Sequence, residues 1–204
     1  MLNYLKKIFS IFLIFNLTFV SSAQAAATFD DINGDGSGFS IGDGTDPNDV
    51  AFNNNGTKMF VINSDTDDID VYTLTTGFDL STATFNDING DGTGFDVSSQ
   101  ESRTRSIEFN NDGTKMFLLG TSGDDVNVYN LSTGFDLLTA TFNDINDDGS
   151  GFDVSDQDSS PQGLAFNNDG TKMFVLGVNS DDINVYTLST GFDLLTATFN
   201  DIND

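Results

Sequence analysis

The 204-residue chain holds 32 acidic and seven basic side chains, no His and no Cys, for a formal charge of −25 at pH 7. That excess excludes nucleic acid and anionic membrane as partners, because both carry the same sign of charge. The missing Cys removes disulfides and thiolate metal sites, and the missing His removes any Ser-His-Asp triad, so the Gly38-Phe39-Ser40-Ile41-Gly42 match to G-x-S-x-G has no base to work with.

Lys6 and Lys7 precede an apolar run over 8–20, and Ala23-Gln24-Ala25 follows it. This order reads as a secretory signal peptide over 1–25. With Ser10, Asn16 and Thr18 inside it, the run is too short and too polar for a membrane span. Residues 26–204 are therefore expected to be exported, to the periplasm, the cell surface or the medium, without membrane insertion. Losing the leader leaves five basic against 32 acidic groups, and self-repulsion on that scale calls for salt or bound cations.

From residue 27 the chain repeats itself. Ala83-Thr84-Phe85-Asn86-Asp87-Ile88-Asn89 returns at 140–146 and at 197–203, an offset of 57 residues each time, and a variant of the motif opens at Ala27. Repeats are placed at 27–82, 83–139 and 140–196, with the start of a fourth at 197–204. Outside the leader, the 16 remaining Phe fall at repeat-phased positions, such as Phe142, Phe152, Phe166, Phe174 and Phe192 in the third repeat. Phased aromatics point to a folded core, which an acidic disordered chain lacks.

In the third repeat, apolar residues at 163–166 and 172–176 flank Asn167-Asn168-Asp169-Gly170, a turn rich in residues that tolerate positive φ, and predict a β-hairpin. The alternation over 183–188 predicts a third strand, Ser189-Thr190-Gly191 a turn, and 194–200 a fourth strand. No segment carries a helical period. The predicted fold class is all-β, a β-propeller built of tandem four-stranded antiparallel blades. The run from Gly163 to Val175, with Asp182-Ile183-Asn184-Val185-Tyr186 and Ser189-Thr190-Gly191 after it, resembles YVTN-type and related secreted bacterial propeller repeats, and the resemblance spans 27–204. It implies fold far more than function. Three blades fall short of the four to eight of closed rings. The arc is thus expected to be an incomplete ring from a longer product, with closure by association of copies as the alternative.

The connection between repeats carries D-x-N-x-D-G: Asp31, Asn33 and Asp35; Asp87, Asn89 and Asp91; Asp144, Asn146 and Asp148. Alternate oxygen-bearing side chains on a tight Gly turn match the first half of an EF-hand-type loop, so these nine residues are candidate Ca2+ ligands. Plain surface turns are the competing reading. Between the second and third repeats 16 of 57 positions differ, six of them in 98–106 against 155–163 and three more in 121–123 against 178–180. Both stretches map to one rim of the blades, which is expected to be the binding face. Relaxed constraint on solvated loops is the alternative. Arg103 and Arg105, the only arginines, lie in the first stretch and are candidate partner-binding residues for a carboxylate or sulfate; pairing with Glu101 or a nearby Asp competes. With repeated residues offering no unique acid/base pair, the chain is expected not to be an enzyme. The expected role is an exported, calcium-stabilised scaffold that binds an extracellular protein or glycan. Two alternatives stand: part of a metal-dependent propeller hydrolase with its catalytic residues in further blades, or a self-assembling envelope or matrix protein.

Overall fold

The computed structural model describes residues 29–32, 34–41 and 46–200. The expected leader, and Asn33 among the candidate ligands, lie outside the described residues.

Three antiparallel sheets follow one another along the chain, one per repeat. Blade 1 contains β1 (Pro47–Phe52), β2 (Lys58–Asn63), β3 (Asp68–Leu74) and β4 (Ala83–Phe85), hydrogen-bonded in that order. The short strand β5 (Phe95–Asp96) joins the same sheet. Blade 2 repeats the pattern with β6 (Thr104–Phe109), β7 (Lys115–Gly120), β8 (Asp125–Leu131), β9 (Ala140–Phe142) and β10 (Phe152–Asp153). Blade 3 contains β11 (Pro161–Phe166), β12 (Lys172–Gly177), β13 (Ile183–Leu188) and β14 (Ala197–Phe199). The first three strands of the third blade fall where the sequence places them.

The fourth strand is shorter than expected, and its loss has a local cause. Asp193 accepts the Leu195 N–H at 3.3 Å and Thr196 Oγ1 donates to the Asp193 carbonyl at 2.8 Å, so 194–196 close into a 3-10 turn before β14 begins. Asp79 and Asp136 cap the same turn in the other repeats.

The outer edge of each blade is also split in a way the repeat pattern does not announce. β4 pairs with the end of β3, Leu74 opposite Ala83, whereas β5 pairs with its start, Ile69 opposite Phe95. Between them the D-x-N-x-D-G loop bulges away from the edge. Gly94 makes the return possible, because a Cβ there would overlap the Ile69 carbonyl.

Side chains alternate between two faces of each sheet and lock neighbouring blades together. Phe60, Ile62, Ile69 and Val71 of blade 1 meet Ile107, Met116, Leu118, Tyr129 and Leu131 of blade 2. In the same register, Phe117, Leu119, Val126 and Val128 of blade 2 meet Leu164, Met173, Val175, Tyr186 and Leu188 of blade 3. Each fully buried side chain of this kind contributes about 1.5–3 kcal/mol. The first strands β1, β6 and β11 approach one another and form the inner side of the arc, while β4, β9 and β14 lie outermost.

Candidate active site on the inner strands

The inner strands are where the repeats stop repeating. Asn48-Asp49-Val50-Ala51 of β1 stands in register with Arg105-Ser106-Ile107-Glu108 of β6 and with Gln162-Gly163-Leu164-Ala165 of β11. The third position stays apolar, buried as Ile107 and Leu164 in blades 2 and 3 but exposed as Val50 in blade 1, and the other positions differ in chemistry between blades.

Each inner strand carries a bulge near its start, at Asn48, Arg105 and Gln162, where the pairing register slips by one residue. The bulge re-aims the residue it extrudes. Arg105 uses it to donate from Nη1 to Asn48 Oδ1 at 3.2 Å, and Asn48 donates in turn to Ser64 Oγ at 2.8 Å and the Thr104 carbonyl at 3.1 Å. The Arg105 Nε is buried without a hydrogen-bond partner.

One step along the strands, Asp49 Oδ2 accepts from Ser106 Oγ at 2.8 Å and from the Ile107 N–H at 3.0 Å, and Ser106 Oγ accepts the Leu164 N–H at 3.3 Å. A single hydroxyl thus links all three blades. Beyond it stands Glu108, where both other repeats have Ala. Burial raises its carboxyl from the ordinary 4.5 to about 7, with the charge of Asp49 adding to the effect. Asp49 and Glu108 border a groove of about 240 Å³ between the first two blades, walled by Ala51, Phe52, Phe109 and Phe135. Drug-sized pockets run from about 300 Å³ upward. This groove therefore suits a ligand no larger than a monosaccharide. A carboxyl that is half ionised near neutrality, in a small concave site, is equipped to take a proton from water and give it back.

This pair does not stand out in the sequence. Ser106 against Gly163 and Arg105 against Gln162 fall in the variable stretch 98–106 expected on the rim, and Glu108 against Ala165 is a further difference just beyond it. The signal available was that a carboxylate appears at a position that is Ala in both other copies. The structure moves these residues from the rim to the inner strands and corrects the expectation that no unique acid/base group exists.

The rim itself is built by buried carboxylates acting as backbone acceptors. Glu101 takes the N–H groups of Arg103, Ser122 and Gly123, and its counterpart Asp158 takes those of Ser160 and Ser180. Burial works against the Asp158 charge, but these donors outweigh it and hold its carboxyl below the ordinary range. Of the two candidate partner-binding arginines, Arg103 is exposed on the connector to β6 and Arg105 is half-buried on the inner strand. Among the described residues neither is paired to a carboxylate; Glu101 reaches only the Arg103 backbone.

The candidate calcium ligands sit at the outer edge, away from the inner strands. Asp87 accepts the N–H groups of Gly90, Asp91 and Gly92, Asp91 Oδ1 accepts Thr93 N–H and Oγ1, and Asn89 donates to the Gly94 carbonyl. Asp144, Asn146 and Asp148 repeat this, as do Asp31 and Asp35. The hydrogen bonds from Ser37, Thr93 and Ser150 hold the carboxyls of Asp35, Asp91 and Asp148 below the ordinary range. Among the described residues no three acidic side chains converge.

No protein-family model matches the chain and no curated protein matches it. Solved structures do. The chain is similar to a proposed 6-phosphogluconolactonase of Bacteroides fragilis, at 16% identity and a TM-score of 0.50, over 77% of this chain and 38% of that one. It is also similar to a proposed 6-phosphogluconolactonase of Bacteroides uniformis, at 14% identity and a TM-score of 0.49, over 77% and 39%. A third is the periplasmic gluconolactonase of Pseudomonas aeruginosa, at 14% identity and a TM-score of 0.46, over 76% and 38%. The chain spans less than half the length of these structures. The fold is an all-β propeller type, as the sequence predicts. The expectation of a non-enzymatic scaffold is corrected: the Bacteroides fragilis structure that shares this fold is named as a proposed 6-phosphogluconolactonase, and the inner strands carry a carboxyl, Glu108, that the other repeats lack. Among the described residues no helix is long and apolar enough to cross a membrane.

Proposed function

We propose that this chain contributes three blades to a lactonase-type propeller hydrolase, opening the cyclic ester of a sugar acid. The observation that supports this most is Glu108, a carboxyl raised to about 7 beside Asp49 in a monosaccharide-sized groove, at a position that is Ala in both other repeats. The ionised Glu108 takes a proton from water as the water oxygen bonds to the lactone carbonyl carbon. As the tetrahedral intermediate collapses, the bond from that carbon to the ring oxygen breaks, and Glu108 returns the proton to the departing oxygen, leaving an open hydroxy acid. Burial keeps the Glu108 proton affinity high, and Asp49, fixed by Ser106 and the Ile107 N–H, adds to it. Arg105 lies three residues away along β6, about 10 Å. Its Nε is buried and its Nη1 is held by Asn48, so it ties β6 to β1 and does not line the groove.

The test is hydrolysis of gluconolactone and 6-phosphogluconolactone followed by acid release. Glu108→Gln is expected to lower kcat/KM by about 10²–10⁴-fold, and the wild-type rate is expected to rise with pH through about 7. Retained activity in Glu108→Gln, or no turnover of either lactone by the wild type, overturns the reading.

Two accessory proposals rest on other residues. The Lys6-Lys7 leader supports export, and the YVTN-like repeat run supports a secreted setting. Calcium at the outer-edge loops is favoured by the same Asp–Asn–Asp arrangement recurring between blades; Asp87 and Asp144 accept the turn's own N–H groups with both oxygens, and Asp91 and Asp148 engage Oδ1 with Thr93 and Ser150. An ion there would stabilise the edge, remote from Glu108.

A further inference from the structure

Two fully buried side-chain oxygens of blade 2 lack a hydrogen-bond partner at one spot beneath the rim. Asn127 and Thr104 are both 0% exposed, and neither Asn127 Oδ1 nor Thr104 Oγ1 has a partner. Oxygens so enclosed are ordinarily paired.

The strand register brings both to the same place. Thr104 of β6, Gly120 of β7 and Asp125 of β8 stand directly opposite one another across three strands, so their side chains share one face of the sheet. Gly120 adds no side chain to that row, and the carboxyl group of Glu101 fills the position its Cβ would take. Glu101 therefore lies between Thr104 and Asp125. Asn127, two residues along β8 on the same face, donates from Nδ2 to Asp125 Oδ1 at 2.8 Å, which seats its amide head against the Asp125 carboxylate. Gly123 borders the spot, because a Cβ there would come within 2.9 Å of Asp125 Cγ.

The charge at this spot is unbalanced. Glu101 is 1% exposed and Asp125 4% exposed, and every donor to them is neutral: the N–H groups of Arg103, Ser122 and Gly123 on Glu101, the Gly151 N–H and the Asn127 amide on Asp125. Burial pushes the Asp125 carboxyl up, and the Glu101 charge adds to it. Two neighbouring carboxylates taken out of water are costly unless a positive charge joins them.

Blade 3 meets the same problem with a hydroxyl. Asp158 fills the Cβ position of Gly177 as Glu101 fills that of Gly120, and Asn184 donates to Asp182 Oδ1 at 2.9 Å. Ser180 Oγ then bridges Asp158 Oδ2 at 2.6 Å and Asp182 Oδ1 at 2.7 Å. Blade 2 has Gly123 in place of Ser180, Glu101 in place of Asp158 and Thr104 in place of Pro161. These three changes remove the bridging hydroxyl and bring in a longer carboxylate and a new oxygen.

We propose that Glu101, Asp125, Asn127 Oδ1 and Thr104 Oγ1 bind a divalent cation of calcium's size beneath the Ser122-Gly123 loop. The set is all oxygen, and its two acids balance the charge of one such ion. Calcium accepts fixed protein oxygens in irregular geometry, whereas magnesium keeps several of its waters. Ser122 and Gly123 are exposed, and the absence of a side chain at Gly123 gives the ion a way in. None of these residues belongs to the D-x-N-x-D-G loops or borders the Glu108 groove.

Calcium titration of the chelator-treated protein by isothermal calorimetry tests this, in about 0.15 M salt to screen surface carboxylates, with circular dichroism confirming that each variant folds. Glu101→Asp with Gly123→Ser gives blade 2 the pair that blade 3 carries, and is expected to bind one calcium fewer than the wild type. Asn127→Leu keeps both carboxylates and is expected to weaken the same site about tenfold or more. The D-x-N-x-D-G loops are identical in all three proteins, so the difference belongs to this site. A wild type that takes up no calcium, uptake by Asn127→Leu equal to that of the wild type, or equal uptake by the folded double variant overturns the proposal.

Discussion

Glu108→Ala restores to the second blade the residue that the other two carry, and its effect on stability is expected to have a sign that depends on pH. The folded protein holds the Glu108 carboxyl at about 7 against an ordinary 4.5, so the native state binds the proton more tightly than the unfolded chain. Below about pH 4.5 the carboxyl is neutral in both states and costs nothing. As pH rises toward 7 the unfolded chain ionises first, and stability falls until the native group has ionised as well. At full weight the difference is worth about 3 kcal/mol. Glu108 is only partly buried, and solvent screening reduces this to about 1–2 kcal/mol.

The alanine variant is therefore expected to be more stable than the wild type at pH 8, by about 2–8 °C in melting temperature for a domain of this size. At pH 4 the two are expected to melt together. The measurement is thermal unfolding by circular dichroism of both proteins at the two pH values. The difference between proteins is the observable, because the general acidity of the chain makes each protein pH-dependent on its own. Equal differences at pH 4 and pH 8, or a variant less stable than the wild type at pH 8, refute the assignment of a strained carboxyl at this position.

Three further outcomes are expected. Gly120→Ala places a Cβ into the buried Glu101 carboxyl group and is expected to cost about 2–4 kcal/mol by urea unfolding, whereas Gly92→Ala, with open space around it but φ near +86°, is expected to cost less; the reverse order would show that Glu101 does not pack on Gly120. Ser106→Ala removes the hydroxyl shared by Asp49 and the Leu164 N–H and is expected to cost about 1–3 kcal/mol, read as a lower urea midpoint with unchanged slope. For calcium, Asp91→Ala with Asp148→Ala is expected to lower the melting temperature further in millimolar calcium than in chelator, where only the hydrogen bonds from Thr93 and Ser150 are lost; equal effects in both remove the ion from these loops.

The fold was legible because a 57-residue period with phased Phe, Tyr and hairpin turns admits little besides tandem sheets. The strand at Ile183–Leu188 was placed to the residue because its alternation is undisturbed. The outer edge was not legible, because its structure depends on long-range pairing. β5 returns to β3 through a Gly94 that fits only against the Ile69 carbonyl, and no local pattern in Gly94-Phe95-Asp96 identifies that partner. The D-x-N-x-D-G motif was visible as a turn, and its aspartates do accept the turn's own N–H groups. Its position outside the rim was not visible.

The inner strands were misread for a different reason. Blades in a repeat array resemble one another where each must make the same contacts with its neighbours, as Met116 and Met173 do between blades. Variation is then informative only when its energetic direction is known. Drift under relaxed constraint replaces one tolerated residue with another, as at Thr121 against Val178. Glu108 does not fit that pattern: it puts a charge that resists ionisation beside a second carboxylate, at a position that both sister repeats fill with a small apolar residue. Such a residue works against native stability above neutral pH. The proposed hydrolysis would give it a use, because a carboxyl held near 7 exchanges its proton near neutrality.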